Sequence, residues 1–437
     1  MQKFVFGWCC VCVFLPRWVG AQEAVADPFA FADFTWLPGN AGAVSNPPLK
    51  WKYFTGEVRV DTAYHYSLHK PQDHTLAGSS EVFRHGELQL THLGIGGDFT
   101  YKNVMARVMT QFGMYSQTTA RNDASPGRGQ WDLAHAYRYL SEAYAGYHIP
   151  VLHGVNVQAG IFMSYIGLWS YYNFDNWTYQ PSYVSSNTPW YFTGVRVQIH
   201  VTDKLKIEPW VVNGWQSYGQ FNSMPGLGGQ VLWRPTGWLG FASNHYVGAD
   251  TPQLPNRKRF HTDNSVMVKY YENSHTWLSK AAASLTVDAG CEHGDGVTCS
   301  SQYFLGFMAY TRLWFAHNRY ALTLGGGAIT NPGRYLVLLP PVNGATALSG
   351  TPYFSAQPKD TFKAWDMQIT TDYMPTPFVT VRAEFNHRSA NVPYFTGRNG
   401  LTPEGGNKGA PGSAVSDWTP DLSKQENRFT LALMVKL

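Results

Sequence analysis

Residues 54–67 read FTGEVRVDTAYHYS. In an extended chain Phe54, Gly56, Val58, Val60, Thr62, Tyr64 and Tyr66 share one face. Thr55, Glu57, Arg59, Asp61, Ala63, His65 and Ser67 share the other. A period of two with one apolar and one charged face describes a strand between two different solvents. One such strand also fits a half-buried sheet in water. The decision comes from repetition. Val195, Val197, Ile199 and Val201 oppose Arg196, Gln198 and His200; Val379, Val381, Ala383 and Phe385 oppose Thr380, Arg382, Glu384 and Asn386. Trp365, Met367, Ile369 and Tyr373 oppose Asp366, Gln368, Thr370 and Asp372, and the final segment alternates Phe429, Leu431, Leu433, Val435 and Leu437 with Arg428, Thr430, Ala432, Met434 and Lys436.

About sixteen segments of this kind lie between Tyr53 and Leu437, and the gaps between them alternate short and long. Thr100–Lys102, Thr202–Lys204, Arg234–Gly237, Glu272–Thr276, His317–Arg319 and Met374–Pro377 read as tight turns. The gaps 68–83, 117–137, 165–188, 218–224, 249–259, 289–300, 328–360 and 389–424 are longer. The predicted fold is all-β: a closed antiparallel transmembrane barrel of about sixteen strands, with short periplasmic turns and long extracellular loops. Closure follows because an open sheet in lipid leaves its edge groups unpaired. Two places fit poorly. Pro209 predicts a bulge, since it has no N–H for the ladder, and the 87–99 segment changes phase near Leu93.

Composition agrees. Charged residues are 14% of the 437-residue chain and aromatics 15%, with 42 glycines, against ~25% charged residues in ordinary soluble proteins. Residues 1–21 read as a signal peptide: Lys3, an apolar run over 4–15, and small residues at Val19-Gly20-Ala21. Arg17 is atypical there, and an uncleaved anchor is the alternative, although the run is short for a spanning helix. Residues 22–50 form a periplasmic N-terminal segment and 51–437 the outer-membrane barrel. Removal of 1–21 leaves 31 basic and 29 acidic residues, a net charge of +2, which points to no nucleic-acid partner. Of five cysteines, Cys9, Cys10 and Cys12 lie in the signal. The remaining pair, Cys291 and Cys299, reads as a disulfide in an exported chain. No metal-ligand spacing and no cofactor motif accompany it.

The stretches SEAYAGY (141–147), VQAGIF (157–162), TGVR (193–196) and VVNGW (211–215) resemble, in kind and order, the OmpL-like β-barrel porin-2 family of Gram-negative bacteria. The resemblance covers most of 53–437 and is densest in 141–248. It implies a porin in the outer membrane and supplies no catalytic residues. The end on Leu437 departs from the aromatic residue usual in such barrels.

The expected function is an outer-membrane porin, a water-filled channel for passive diffusion of small hydrophilic solutes. Its partners are outer-membrane lipids and those solutes, and analogy with sixteen-stranded porins adds a homotrimer. Inward parity selects Glu57, Arg59, Asp61, Arg107, Glu142, Arg196, Lys206, Glu208, Lys269, Lys280, Arg312, Asp366, Arg382 and Glu384 as pore-lining, with Glu87, Asp288 and Asp372 as further acidic candidates. Signs are nearly balanced, so weak ion selectivity is expected; pairing across strands is the alternative for any one charge. The aromatic third loop, with Trp169, Tyr171, Tyr172, Asp175 and Trp177, is either a constriction inside the barrel or a tip at the membrane surface. The Gly325-Gly326-Gly327 run predicts a place where the wall must be thin or uncrowded. Two other functions stay open: a structural or adhesive barrel with functional surface loops, and a barrel hydrolase. No GxSxG or HExxH motif supports the last, which makes a non-enzyme the expectation.

Overall fold

The computed structural model describes residues 27–40, 47–76, 78–120, 123, 125, 129–220, 222, 224–251, 253–333, 335–336, 361–401 and 421–437. The expected signal, 1–21, and most of the expected loops 328–360 and 389–424 lie outside them.

Sixteen antiparallel strands close into one barrel. They are β1 (Phe54–Ser67), β2 (Leu88–Tyr101), β3 (Val104–Thr110), β4 (Leu140–Ile149), β5 (Val155–Met163), β6 (Tyr191–His200), β7 (Leu205–Val212) and β8 (Gly226–Thr236). Then follow β9 (Leu239–Gly248), β10 (Lys258–Glu272), β11 (Leu278–His293), β12 (Tyr303–Phe315), β13 (Tyr320–Pro332), β14 (Thr361–Thr376) and β15 (Val379–Ala390). A two-residue pair, β16 (Phe395–Thr396) and β17 (Leu422–Ser423), sits on the last loop before the closing strand β18 (Gln425–Lys436). Each strand pairs with its neighbour in the chain, and β18 pairs with β1 in the register Arg59↔Lys436 to Ser67↔Arg428. Leu437 exchanges backbone hydrogen bonds with Val58 at that seam.

The alternation reads directly onto the two surfaces. Trp365, Met367, Ile369, Leu431 and Leu433 are exposed on the outer wall, whereas Asp366, Gln368, Thr370, Asp372, Arg382 and Arg428 are buried inside. At the turn end the outer wall carries aromatic pairs: Tyr53 with Tyr101 at 5.2 Å, Trp277 with Phe315 at 4.6 Å and Tyr320 with Tyr373 at 5.3 Å between ring centroids. Amphipathic rings at that height form the girdle expected of a membrane interface.

The phase change in β2 is a real bulge. Asp61 faces His92 but Thr62 faces Leu90, so Thr91 and His92 both point inward. Pro209 corrects an expectation: β6, β7 and β8 keep a constant register across it, and Pro209 lies opposite Gly229 without a bulge. Its missing N–H is accommodated where β6 and β7 have no paired Cα positions between Arg196↔Trp210 and Ile199↔Ile207. The glycine run admits bulky neighbours. A Cβ on Gly325 would stand 2.1 Å from the Tyr310 ring, and one on Gly327 would stand 2.6 Å from the Ser182 hydroxyl of the third loop.

Candidate functional site

The third loop, 164–190, turns into the barrel. Trp177, Tyr179 and Tyr183 are fully buried, and Tyr172, Asp175 and Trp169 nearly so. The loop carries a 3-10 turn over Asn173–Asp175 and one short helix, Tyr183–Ser186. Its polar backbone needs partners inside the lumen, and the wall supplies them. Arg382 donates from Nη1 to the carbonyls of Asn173 and Thr178 at 3.1 and 2.7 Å, and from Nη2 to Asn176 at 2.7 Å. Its Nε also holds Asp372 at 2.7 Å. Glu384 accepts the N–H groups of Tyr179 and Gln180 at 2.7 and 3.1 Å. Asp366 accepts those of Tyr183 and Gly327 at 2.9 and 3.0 Å. Arg388 donates to the carbonyls of Pro181, at 3.0 Å, and of Gly78.

The tip of the loop meets the seam. Arg59 and Lys436, cross-strand partners on β1 and β18, bind the two oxygens of Asp175 at 2.9 and 3.2 Å. The Arg59 guanidinium lies 3.9 Å over the Tyr172 ring, and the Tyr172 hydroxyl donates to Glu142 at 2.9 Å. Asp61 accepts from Asn173 at 2.9 Å and from the Tyr179 hydroxyl at 3.2 Å. Trp169 packs on Tyr310 at 4.8 Å. Tyr171 donates to Gln111 at 2.6 Å.

A second insert enters from the turn end. Residues 27–40 grow more buried as they go inward, from exposed Asp27 and Phe31 to buried Phe34, Trp36 and Leu37. Trp36 donates from Nε1 to the carbonyl of Gly237 at 3.2 Å and accepts Trp177 Nε1 on its own carbonyl at 3.1 Å. Arg312 binds Asp372 at 2.7 Å and the Trp177 carbonyl at 3.1 Å. Lys280 reaches Asp33 at 3.3 Å, and Lys269 reaches Glu272 and the Trp36 ring, the latter at 6.0 Å. Phe34, Trp36, Leu37, Trp169, Trp177, Met267, Tyr310 and Trp314 share one apolar cluster in the middle of the lumen.

The opposite wall is more exposed. Arg107 binds Asp98, Glu57 and Glu142 at 2.8, 3.1 and 3.0 Å and keeps 11% side-chain exposure, with Asp98 at 50%. Arg196 is 15% exposed. It faces Glu208 at 3.7 Å, bonds Gln158 at 2.6 Å and packs against the rings of Tyr144, Phe162 and Trp210. Lys206, 12% exposed, pairs with the same Glu208.

Each residue expected from parity to line the lumen has its side chain on the inner side, but the set divides between a packed wall and a partly exposed one. Glu87 does not belong with it: it precedes β2 on an outer loop and pairs with Arg84 at 2.7 Å. Cys291 and Cys299 are disulfide-bonded, with Cα atoms 4.9 Å apart. Cys291 lies on β11, so the connection itself begins at 294. Sequence reading passed over Arg388, which continues the inward parity of Arg382 and Glu384. It also passed over Trp36. The signal there was a cluster of Phe29, Phe31, Phe34, Trp36 and Leu37 in an otherwise Ala- and Pro-rich stretch. Among the described residues no group of three or more His, Cys, Asp or Glu side chains could hold a metal ion.

A family model described as "Putative beta-barrel porin-2, OmpL-like" matches residues 53–437. A search of the curated proteins matched none. Among solved structures the chain is similar to OprB of Pseudomonas putida at high pH, with TM-score 0.50 and 10% identity over 88% of this chain and 94% of that one. It is also similar to the outer membrane channel DcaP of Acinetobacter baumannii, with TM-score 0.49 and 14% identity over 88% and 96%. An anion-selective porin from Comamonas acidovorans gives 0.48 and 10% over 88% and 99%.

Proposed function

Because the chain belongs to the OmpL-like β-barrel porin-2 family and is an outer-membrane porin of a Gram-negative bacterium, we propose that small hydrophilic solutes cross it along the wall formed by β2–β7. The observation that carries this path is the partial exposure of Asp98, Arg107, Arg196 and Lys206, against a lumen otherwise filled by the third loop and residues 27–40. Ion-paired charges that keep contact with water line an aqueous route at little desolvation cost. The route carries both signs, Asp98 and Glu57 beside Arg107, and Glu208 beside Arg196 and Lys206, so selectivity between cations and anions is weak. The third loop is the constriction that confines solute to this side. Diffusion is passive, and no chemical step belongs to the reading.

Planar-bilayer recording of folded protein tests it: discrete conductance steps with a small reversal potential in a salt gradient are expected. The packed half of the lumen favours one competing reading, a closed structural barrel. Folded protein that inserts but never conducts, even with residues 27–40 removed, would establish that one instead. A homotrimer is the assembly we propose in the membrane. Ala106, Ala145 and Ala159 are aligned across β3–β5 on the outer wall, a shallow face against which a second barrel can pack closely. Native mass measurement in detergent distinguishes trimer from monomer.

A further inference from the structure

We propose that residues 27–40 are a displaceable plug that narrows the periplasmic half of the channel; this rests on the porin reading above. Cavities of about 250 and 390 Å³ approach the segment from opposite ends of the barrel. The outer one is bounded by Gly39 together with Tyr165, Trp169 and Trp190. The periplasmic one is bounded by Thr35 together with Arg312, Trp314 and the turns at 317–319 and 375–377. Both touch Asn176. Between them lies the contact of Trp36 with Trp177, so the obstruction is the segment itself, wedged against the third loop.

The two inserts are held in different ways. The third loop is bonded to the wall through its backbone at Asn173, Asn176, Thr178, Tyr179, Gln180, Pro181 and Tyr183. The 27–40 segment joins no strand. Among the described residues it has one backbone-to-backbone hydrogen bond to the barrel, from Phe29 N–H to the Asp203 carbonyl at 2.7 Å. Its other ties run through side chains, among them Trp36 to Gly237, to Lys269 and to Trp177, Asp33 to Lys280, Phe29 to His200, Phe31 under Lys204, and Phe29 and Phe34 under the Arg234 guanidinium at 4.7 and 4.6 Å. Such a segment can leave without breaking a ladder, and its departure costs the barrel no sheet hydrogen bond. It stands at the turn end, where its entry point, Asp27 to Phe31, is open to the periplasm.

The test compares wild type, Trp36→Ala and a chain lacking 27–40 in planar bilayers, with heat-modifiable electrophoretic migration confirming the folded barrel. A unitary conductance about twofold or more above wild type is expected for the deletion, with Trp36→Ala between the two. A silent wild type beside a conducting deletion also supports the plug. Equal steps in wild type and deletion overturn the plug and leave the porin. Silence from both folded proteins overturns the porin reading as well.

Should the shortened chain fail to fold, a tether decides. The Ala32 Cβ lies 2.8 Å from where a Cβ on Gly237 would stand, about 1 Å inside the separation usual in a disulfide, so a small outward shift of the segment brings the pair into bonding range. In a Cys291→Ser/Cys299→Ser background, the Ala32→Cys/Gly237→Cys variant therefore locks the segment in place when oxidised. Its largest openings should disappear on oxidation and return on reduction. Identical conductance in both states overturns a plug that moves.

Discussion

The two sides of the lumen are built from the same alternating pattern and use their charges in opposite ways. On β14 and β15, Asp366, Asp372, Arg382 and Arg388 have 0–1% side-chain exposure and spend their hydrogen bonds on one another and on loop backbone. On β3, β6 and β7, Arg107, Arg196 and Lys206 keep 11–15% and pair with carboxylates beside water. The difference teaches that an inward charge is no sign of solute contact. A buried guanidinium becomes acceptable when carbonyls and a carboxylate saturate its donors. The third loop provides those carbonyls on one side of the barrel and not on the other.

Charge reversal should separate the two walls most sharply. Arg382→Glu would place a carboxylate beside Asp372 and Glu384 and strip three carbonyls of their donor. A loss of about 3–5 kcal/mol is expected, read as a failure to form the heat-modifiable barrel or a large fall in thermal midpoint. Arg196→Glu should fold, because Gln158 and water remain to solvate the site. Its reversal potential in a salt gradient should shift towards cation preference by several millivolts or more, on the order of RT/F, as expected for a charge lining a water-filled pore. If Arg382→Glu folds and shifts selectivity as Arg196→Glu does, the distinction between the walls is lost.

Two smaller effects bound the comparison. Cys291 and Cys299 join the far end of β11 to its own loop, away from both walls. Reduction, or Cys299→Ser, should cost about 2 kcal/mol or less by the loop-entropy argument and leave the conductance steps unchanged. Glu81, on the first outer loop, meets the Ser186 hydroxyl at the end of the third. Burial raises its carboxyl above the ordinary 4.5, against the pull of Arg388. The folded state therefore holds this proton more tightly than the unfolded chain. The contribution is full below pH 4.5 and is lost as pH rises through the folded value. Glu81→Gln should flatten that part of a plot of thermal midpoint against pH; an unchanged slope would remove Glu81 from the packed side's account.

Fold and sidedness were legible in the residues because lipid and water impose a strict period on every strand. The charge on Arg196 and that on Arg382 obey the same parity, so nothing local could tell the wet one from the packed one. What separates them is a loop some two hundred positions away in the chain, with no period of its own. The inward turn of Trp169 to Trp177 was an even choice for the same reason: aromatic rings suit both a membrane surface and a dry core. The role of Trp36 was hidden further still, because its partners Gly237 and Trp177 come from separate connections. The Pro209 expectation failed on a rule too local to see that a ladder can skip a pair and keep its register.

Asp175 gives the barrel's assembly a built-in check. Its two oxygens are shared by Arg59 of the first strand and Lys436 of the last, residues brought opposite each other only when the sheet has closed. Before closure the tip of the third loop has half of its cationic seat at most, and a chain whose ends met in another register would keep Arg59 but carry Lys436 away from it. The carboxylate thus ties the docking of a segment in the middle of the chain to the correct meeting of its two ends. A barrel that has zipped out of step would be left with a buried anion held by one cation instead of two.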